Sequence, residues 1–215
     1  MEQNSFEAQY NITKKSKIND FFDKNKFSIF SSIIIFIIIF VSINFSFSNK
    51  EKTKRLLADR YIEARIYLNN GEENKAERIL KEIITKNDFT YSTLSLFLIS
   101  NANLMADQDE LLRMFDHVLE NNKFETELKN LIIFKKVLIQ SNSASESEIL
   151  KGLKPLINDE SVWKPHALLL IGDYYVSKKQ YLKAKEFYAK IMSLKGLNND
   201  LYKQARTQLI AISND

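Results

Sequence analysis

Residues Trp163 to Met192 read WKPHALLLIGDYYVSKKQYLKAKEFYAKIM, and this stretch decides the fold. Leu168, Ile171, Gly172 and Tyr175 recur in steps of three, one and three, the period of one helix face. After Lys178-Lys179-Gln180 the same period resumes in Ala184, Tyr188 and Ile191. Two helices, near 163–177 and 180–194, therefore pack together across a short turn. Pro165 falls in the first turn, where a missing N–H does no harm. Gly172 and Ala184 are small where the two helices cross closely, and Tyr175 and Tyr188 fill the space beside them. Trp163 reads as a cap on the core of this pair.

The same spacing recurs upstream. Apolar residues at +4 and +7 mark Ala76, Leu80 and Ile83, then Leu111, Phe115 and Val118, then Ile149, Leu153 and Leu156, before Ala184, Tyr188 and Ile191. The sets start 35 to 38 positions apart. A fixed period near 34 residues marks stacked helix–turn–helix units. No unit buries its apolar face alone, so neighbours share a core. The last pair matches the tetratricopeptide pattern, from Leu168 to Ile191. The first matches in part, with Ala64, Tyr67, Ala76, Leu80 and Ile83, although Glu63 stands where an apolar residue is expected. In the middle pairs Ala102 and Gln140 replace the aromatic residue.

The fold class is all-α: a single N-terminal transmembrane helix, then a tetratricopeptide-like α-solenoid of about four helix pairs. Helices are expected near 51–69, 72–86, 91–105, 108–120, 124–141, 146–157, 163–177, 180–194 and 199–212. Asn69-Asn70-Gly71 supplies a helix end that accepts positive φ. Asp107 with Glu110, and Ser145 with Glu148, resemble capping boxes. The Ser/Asn-rich stretch from Ser141 to Ser147 reads as the flexible point of the array. Pro155 lies inside a predicted helix and is expected to kink it or end it early.

From Phe27 to Asn49 there is no charged residue, and Ile33 to Val41 is an unbroken apolar run. Residues 27–47 form about 31 Å of helix, close to the hydrocarbon thickness of a bilayer. In lipid every backbone amide must bond internally, so helix is imposed whatever the propensity. Ser31 and Ser32 can bond back to their own helix carbonyls. A soluble core helix rarely carries such a run. A cleaved signal peptide is the other alternative, since Ser46-Phe47-Ser48 is a small-x-small pattern. Against cleavage, 26 residues precede the apolar run, which is long for an n-region. Residues 1–26 form a tail with a short amphipathic helix, carried by Ile18, Phe21 and Phe22, that can rest on the membrane surface. The first dozen residues are expected to be loosely ordered. Residues 50–215 form the soluble domain.

Basic residues flank the span on both sides: Lys14, Lys15, Lys17, Lys24 and Lys26 before it, and Lys50, Lys52, Lys54, Arg55, Arg60 and Arg65 after it. The positive-inside rule nearly ties, so charge alone does not fix topology.

Composition narrows the function. The chain has no cysteine, which excludes disulfides, thiolate catalysis and a Cys-based zinc site. Four Gly and two Pro argue against a turn-rich β fold. The net charge of +4 is intermixed, without the basic, aromatic-interleaved stripe of a nucleic-acid binder. His117 and His166 fall on different units and read as helix-face residues. There is no Gly-rich phosphate loop, nucleophile elbow or metal-ligand cluster. The acids Glu72-Glu73 and Asp107-Asp109-Glu110 sit at helix starts, where they favour the dipole. The reading is a non-enzyme with no cofactor, no metal and no small-molecule substrate. Its candidate surface is the face formed by the first helix of each pair. The register puts Tyr61, Arg65 and Leu68 there in the first unit, and His166, Leu169, Asp173 and Val176 in the last.

The order of parts resembles a known family. A charged segment, Ile18-Asn19-Asp20-Phe21-Phe22-Asp23-Lys24-Asn25, leads into a span and then into a tetratricopeptide-like domain. Tyr91-Ser92-Thr93-Leu94-Ser95-Leu96, Leu128 to Gln140 and Trp163 to Met192 add to the likeness. The chain resembles the YfgM type, the ancillary subunits of the bacterial SecYEG translocon. The resemblance implies an inner-membrane protein with a cytoplasmic N-terminus and a periplasmic domain. It implies a membrane-tethered scaffold working beside SecYEG and periplasmic chaperones, with membrane lipid contacted through 27–47. The alternative is an architectural envelope or cell-division scaffold acting independently of export.

Overall fold

The computed structural model describes residues 2–158 and 160–213, and the side chains among them other than those of 2–20, 22, 23, 29, 33 and 42–49. The chain is all-α: an N-terminal apolar helix is followed by a tetratricopeptide-like array of helix pairs. The helices are α1 (Glu2–Asn69), α2 (Glu73–Ile84), α3 (Tyr91–Asn101), α4 (Gln108–Asn121), α5 (Thr126–Gln140), α6 (Glu146–Asn158), α7 (Lys164–Ser177), α8 (Tyr181–Met192) and α9 (Asn199–Ala211). Residues up to Leu56 and residues 57–215 form two compact units.

In the first unit, every residue from Ile34 to Val41 exposes its side chain. None of the described side chains in the apolar window Lys24–Val41 is buried. Hydrocarbon is the solvent that such a surface fits. Ser32 Oγ donates to the Ser28 carbonyl at 2.8 Å, as expected of a hydroxyl in a span. The amphipathic reading of Ile18 and Phe22 lies outside the described side chains, while Phe21 is exposed.

Two expectations are corrected here. The sequence reads as a short helix before the span and a separate helix from 51. The structure has one helix from Glu2 to Asn69. The physical reason is the absence of any Gly or Pro before Gly71, so no residue breaks the backbone ladder. Pro155 also fails to end its helix, since α6 continues to Asn158. The missing N–H falls near the helix end, and Leu156 beyond it is fully buried. Burying a leucine contributes about 1.5–3 kcal/mol and helps offset the lost bond.

In the second unit all twelve residues of the four periodic sets are buried, from Ala76 to Ile191. They fall into two clusters. One gathers Leu57, Ala64, Leu80, Leu96, Phe115 and Ile132 with their neighbours. The other gathers Val137, Leu153, Ile171, Tyr175, Tyr188 and Ala205 with theirs. Helix α5 contributes to both.

The first helices of three pairs end in one motif. After α1 the Glu72 N–H bonds the Tyr67 carbonyl and the Gly71 N–H bonds that of Leu68. After α7 Gln180 bonds Tyr175 and Lys179 bonds Val176, and after α3 Leu104 bonds Ile99 and Asn103 bonds Ser100. These are Schellman ends, which need one residue at positive φ. Gly71, Asn103 and Lys179 supply it, at 78°, 50° and 57°. Because Asn103 turns the chain there, α3 stops at Asn101, short of the expected 105.

Ser145 and Glu148 form the expected capping box: the Ser145 N–H donates to Glu148 at 2.8 Å and the Glu148 N–H to Ser145 Oγ at 3.4 Å. Asp107 caps α4 through the Glu110 N–H at 3.0 Å, but the Glu110 carboxylate pairs with Lys81 of α2 instead of completing a box. The stretch from Ser141 to Ser147 is anchored at one point. Ala144 is buried, and its carbonyl accepts from Tyr174 Oη at 3.3 Å.

Candidate protein-binding surface

The last pair is built around one crossing. A Cβ on Gly172 would lie 2.4 Å from the Tyr188 ring, so only glycine lets α8 approach α7 this closely. Tyr188 then reaches past Gly172 and donates its hydroxyl to Asp173 at 2.6 Å. Burial pushes the Asp173 carboxyl above the usual range, and the Tyr188 bond pulls it part of the way back. Burial and the Asp173 carboxylate push the Tyr188 phenol up. Tyr175, beside it, donates to Glu146 at 2.8 Å and is pushed up to about 12 by burial and that carboxylate.

The start of α7 is pinned to α5. Ser161 is buried, donates to Glu127 at 2.9 Å and accepts from Asn130 at 3.0 Å. The Trp163 indole N–H donates to the Glu127 carbonyl at 3.1 Å. Its ring stacks on Phe134 at 5.6 Å and lies 5.3 Å from His166. The tryptophan thus does pack as a cap, on a partner from the preceding unit. His166 Nδ1 is buried and has no hydrogen-bond partner among the described residues. An open cavity of about 970 Å³ lies between the start of α7 and the turn before α9, with Val162, Leu194 and Leu197 among its walls.

The positions expected on the open face divide. His166 and Val176 are partly buried, and Asp173 is partly open beside Tyr188. Leu169 departs from the expectation: its side chain is buried with the second cluster, because Leu168, Leu169 and Leu170 all turn into the core. In the first unit Arg65 is exposed and Leu68 partly buried. Tyr61 packs towards Tyr91 at 6.2 Å. Tyr61 packs against one cluster, whereas Leu169 and Val176 pack in or against the other.

Sequence reasoning missed the equivalent positions of α5. Phe134 and Leu138 stand 35 residues before Leu169 and Asp173, and Leu131 stands 35 before His166. Phe134 lies 6.0 Å from His166, so the first helices of adjoining units do meet. Leu138 is 46% exposed. The repeat period was the signal that could have found them. Among the described residues no group of three or more His, Asp or Glu side chains is placed to hold a metal ion.

No family model matches the chain, and no solved structure does. Among curated proteins it is 30% identical over 157 residues to the "Ancillary SecYEG translocon subunit" of Buchnera aphidicola subsp. Schizaphis graminum (strain Sg). The match covers 71% of this chain and 77% of that relative.

Proposed function

Because the chain belongs to the family of ancillary SecYEG translocon subunits, we propose that it is a membrane-tethered binding module stationed beside that translocon. The uncovered apolar run of α1 carries this reading, because it fixes the protein in the membrane where its partners lie. Tethering replaces bimolecular encounter with a high effective concentration, so a modest interface suffices. We assign residues 1–26 to the tail, 27–47 to the lipid-embedded anchor and 50–215 to the binding domain. In this reading the N-terminus is cytoplasmic, the domain is periplasmic, and the domain links the translocon to periplasmic chaperones. The contact residues are Tyr61, Arg65, Leu68, His166, Asp173 and Val176, with Leu169 beneath them.

Tagged full-length protein, cross-linked in native membranes and purified, tests the proposal. SecYEG subunits and chaperones are the expected co-purifying species. Their absence, together with a deletion phenotype confined to division or envelope integrity, would instead favour an architectural scaffold. Protease added to spheroplasts is expected to digest the domain, and a protected domain overturns the orientation.

A further inference from the structure

We infer that the face shared by α5 and α7 receives an apolar segment of a partner polypeptide bearing a lysine or arginine, with Asp173 as the carboxylate that pairs with that cation. The inference rests on the reading of the domain as a binding module and names the chemistry of what it binds.

Two observations converge on it. The first is a partly open apolar strip that runs from α5 onto α7. Phe134 and Leu138 of α5 occupy the positions of Leu169 and Asp173 one unit later. Phe134 meets His166 across the two helices, Val176 continues the strip, and Leu138 leaves almost half of its surface uncovered. The second is a charge without a counterpart. Asp173 accepts one hydrogen bond, from Tyr188, and no cation stands within 4 Å of it among the described residues. Burial raises its carboxyl, the mark of an ion that its surroundings do not compensate. Several lysines of α5, α8 and the turn after α7 have partners of their own. Lys136 pairs with Asp116, Lys135 donates to Asn101, Lys183 pairs with Glu146, and Lys178 lies over the Tyr174 ring.

A half-buried carboxylate on an apolar face selects by sign. An incoming ammonium or guanidinium supplies the missing charge in a poorly hydrated place, where close pairs are worth most. An incoming carboxylate meets a like charge and is rejected. The apolar neighbours give affinity, and Asp173 gives the choice between partners.

The test uses full-length protein in nanodiscs and three short synthetic peptides, alike in their leucines and serines but with Lys, Leu or Glu at the centre. Calorimetry measures binding, and Trp163 fluorescence places it, because this tryptophan is the sole one and contacts His166 and Phe134. The Lys peptide is expected to bind about tenfold more tightly than the Glu peptide, the equivalent of about 1.4 kcal/mol. Asp173→Asn keeps an acceptor for Tyr188 and is expected to abolish this preference while retaining the apolar affinity. Leu138→Ser, at an exposed position, should weaken all three peptides alike. Equal binding of Lys and Glu peptides, a preference unchanged in Asp173→Asn, or no binding by any peptide overturns the inference. If SecYEG still cross-links under those outcomes, the tethered-module reading stands and only the assigned chemistry falls.

Discussion

Helices α3 and α7 are the first helices of the second and last pairs, and they solve one packing problem in opposite ways. In α7 the residues from Ala167 to Gly172 are all buried, followed by Tyr174 and Tyr175. Shape does the work there, with a bare Gly172 under the Tyr188 ring. In α3 the buried residues are Ser92, Thr93 and Ser95 besides Leu96 and Ile99. Ser92 donates to the end of α2, with the Ile83 and Ile84 carbonyls at 3.2 and 3.1 Å, and Thr93 donates to the Phe89 carbonyl at 2.8 Å. Ser95 Oγ is buried with no partner among the described residues. A repeat that keeps its small-and-aromatic pattern locks through fit. One that has lost it buries hydroxyls along its packed face and is held by the Ser92 hydroxyl on its neighbour's carbonyls.

The contrast predicts substitutions of opposite sign. The largest effect is expected from Gly172→Val, which drives side-chain carbon into the Tyr188 ring. It should cost about 3 kcal/mol, a drop in melting temperature of about 6–12 °C for a domain of this size, read by circular dichroism on the full chain. A cost below about 1 kcal/mol would mean that the crossing in α7 is as adaptable as α3. Ser95→Ala should work the other way. Removing a buried, unpaired hydroxyl is expected to raise stability by about 1 kcal/mol, and a loss would mean that the hydroxyl has a partner, such as an ordered water. The smallest effect separates the two helix ends. Lys179→Gly relieves a positive φ that a lysine tolerates poorly and should gain about 0.5 kcal/mol. Asn103→Gly should gain less, because asparagine occupies that region at lower cost. Equal gains would erase the difference.

Much of this fold was legible in the residues themselves. The +4 and +7 sets needed no context, since a helix face repeats at that spacing wherever it packs, and every member is buried. Gly172 with Tyr188 was legible for the same reason: a residue without a Cβ opposite an aromatic states a close approach. The continuity of α1 was not, because a change from apolar to charged composition reads as a boundary although no residue in it stops a helix. Pro155 misled in the opposite direction, since the burial of Leu156 lies outside any local rule. At the candidate surface, the partly open positions of His166, Asp173 and Val176 followed from register alone. The buried bonds of Ser161 with Glu127 and Asn130 did not, because they join positions 31 and 34 residues apart that only the stacking of units brings together. Leu169 was misplaced because three consecutive leucines give a period count no way to choose the one that faces outward.

Helix α5 places Ile132 in one hydrophobic cluster and Val137 in the other, five residues along the same helix. Neither cluster can lose this helix and stay complete. In hydrogen exchange the amides of α5 therefore report the opening of whichever half gives way first, and the two halves melt as one cooperative system to the extent that α5 holds. A ligand that grips α5 tightens the amides on both sides of it, including those around Leu80 and Phe115 that it never touches.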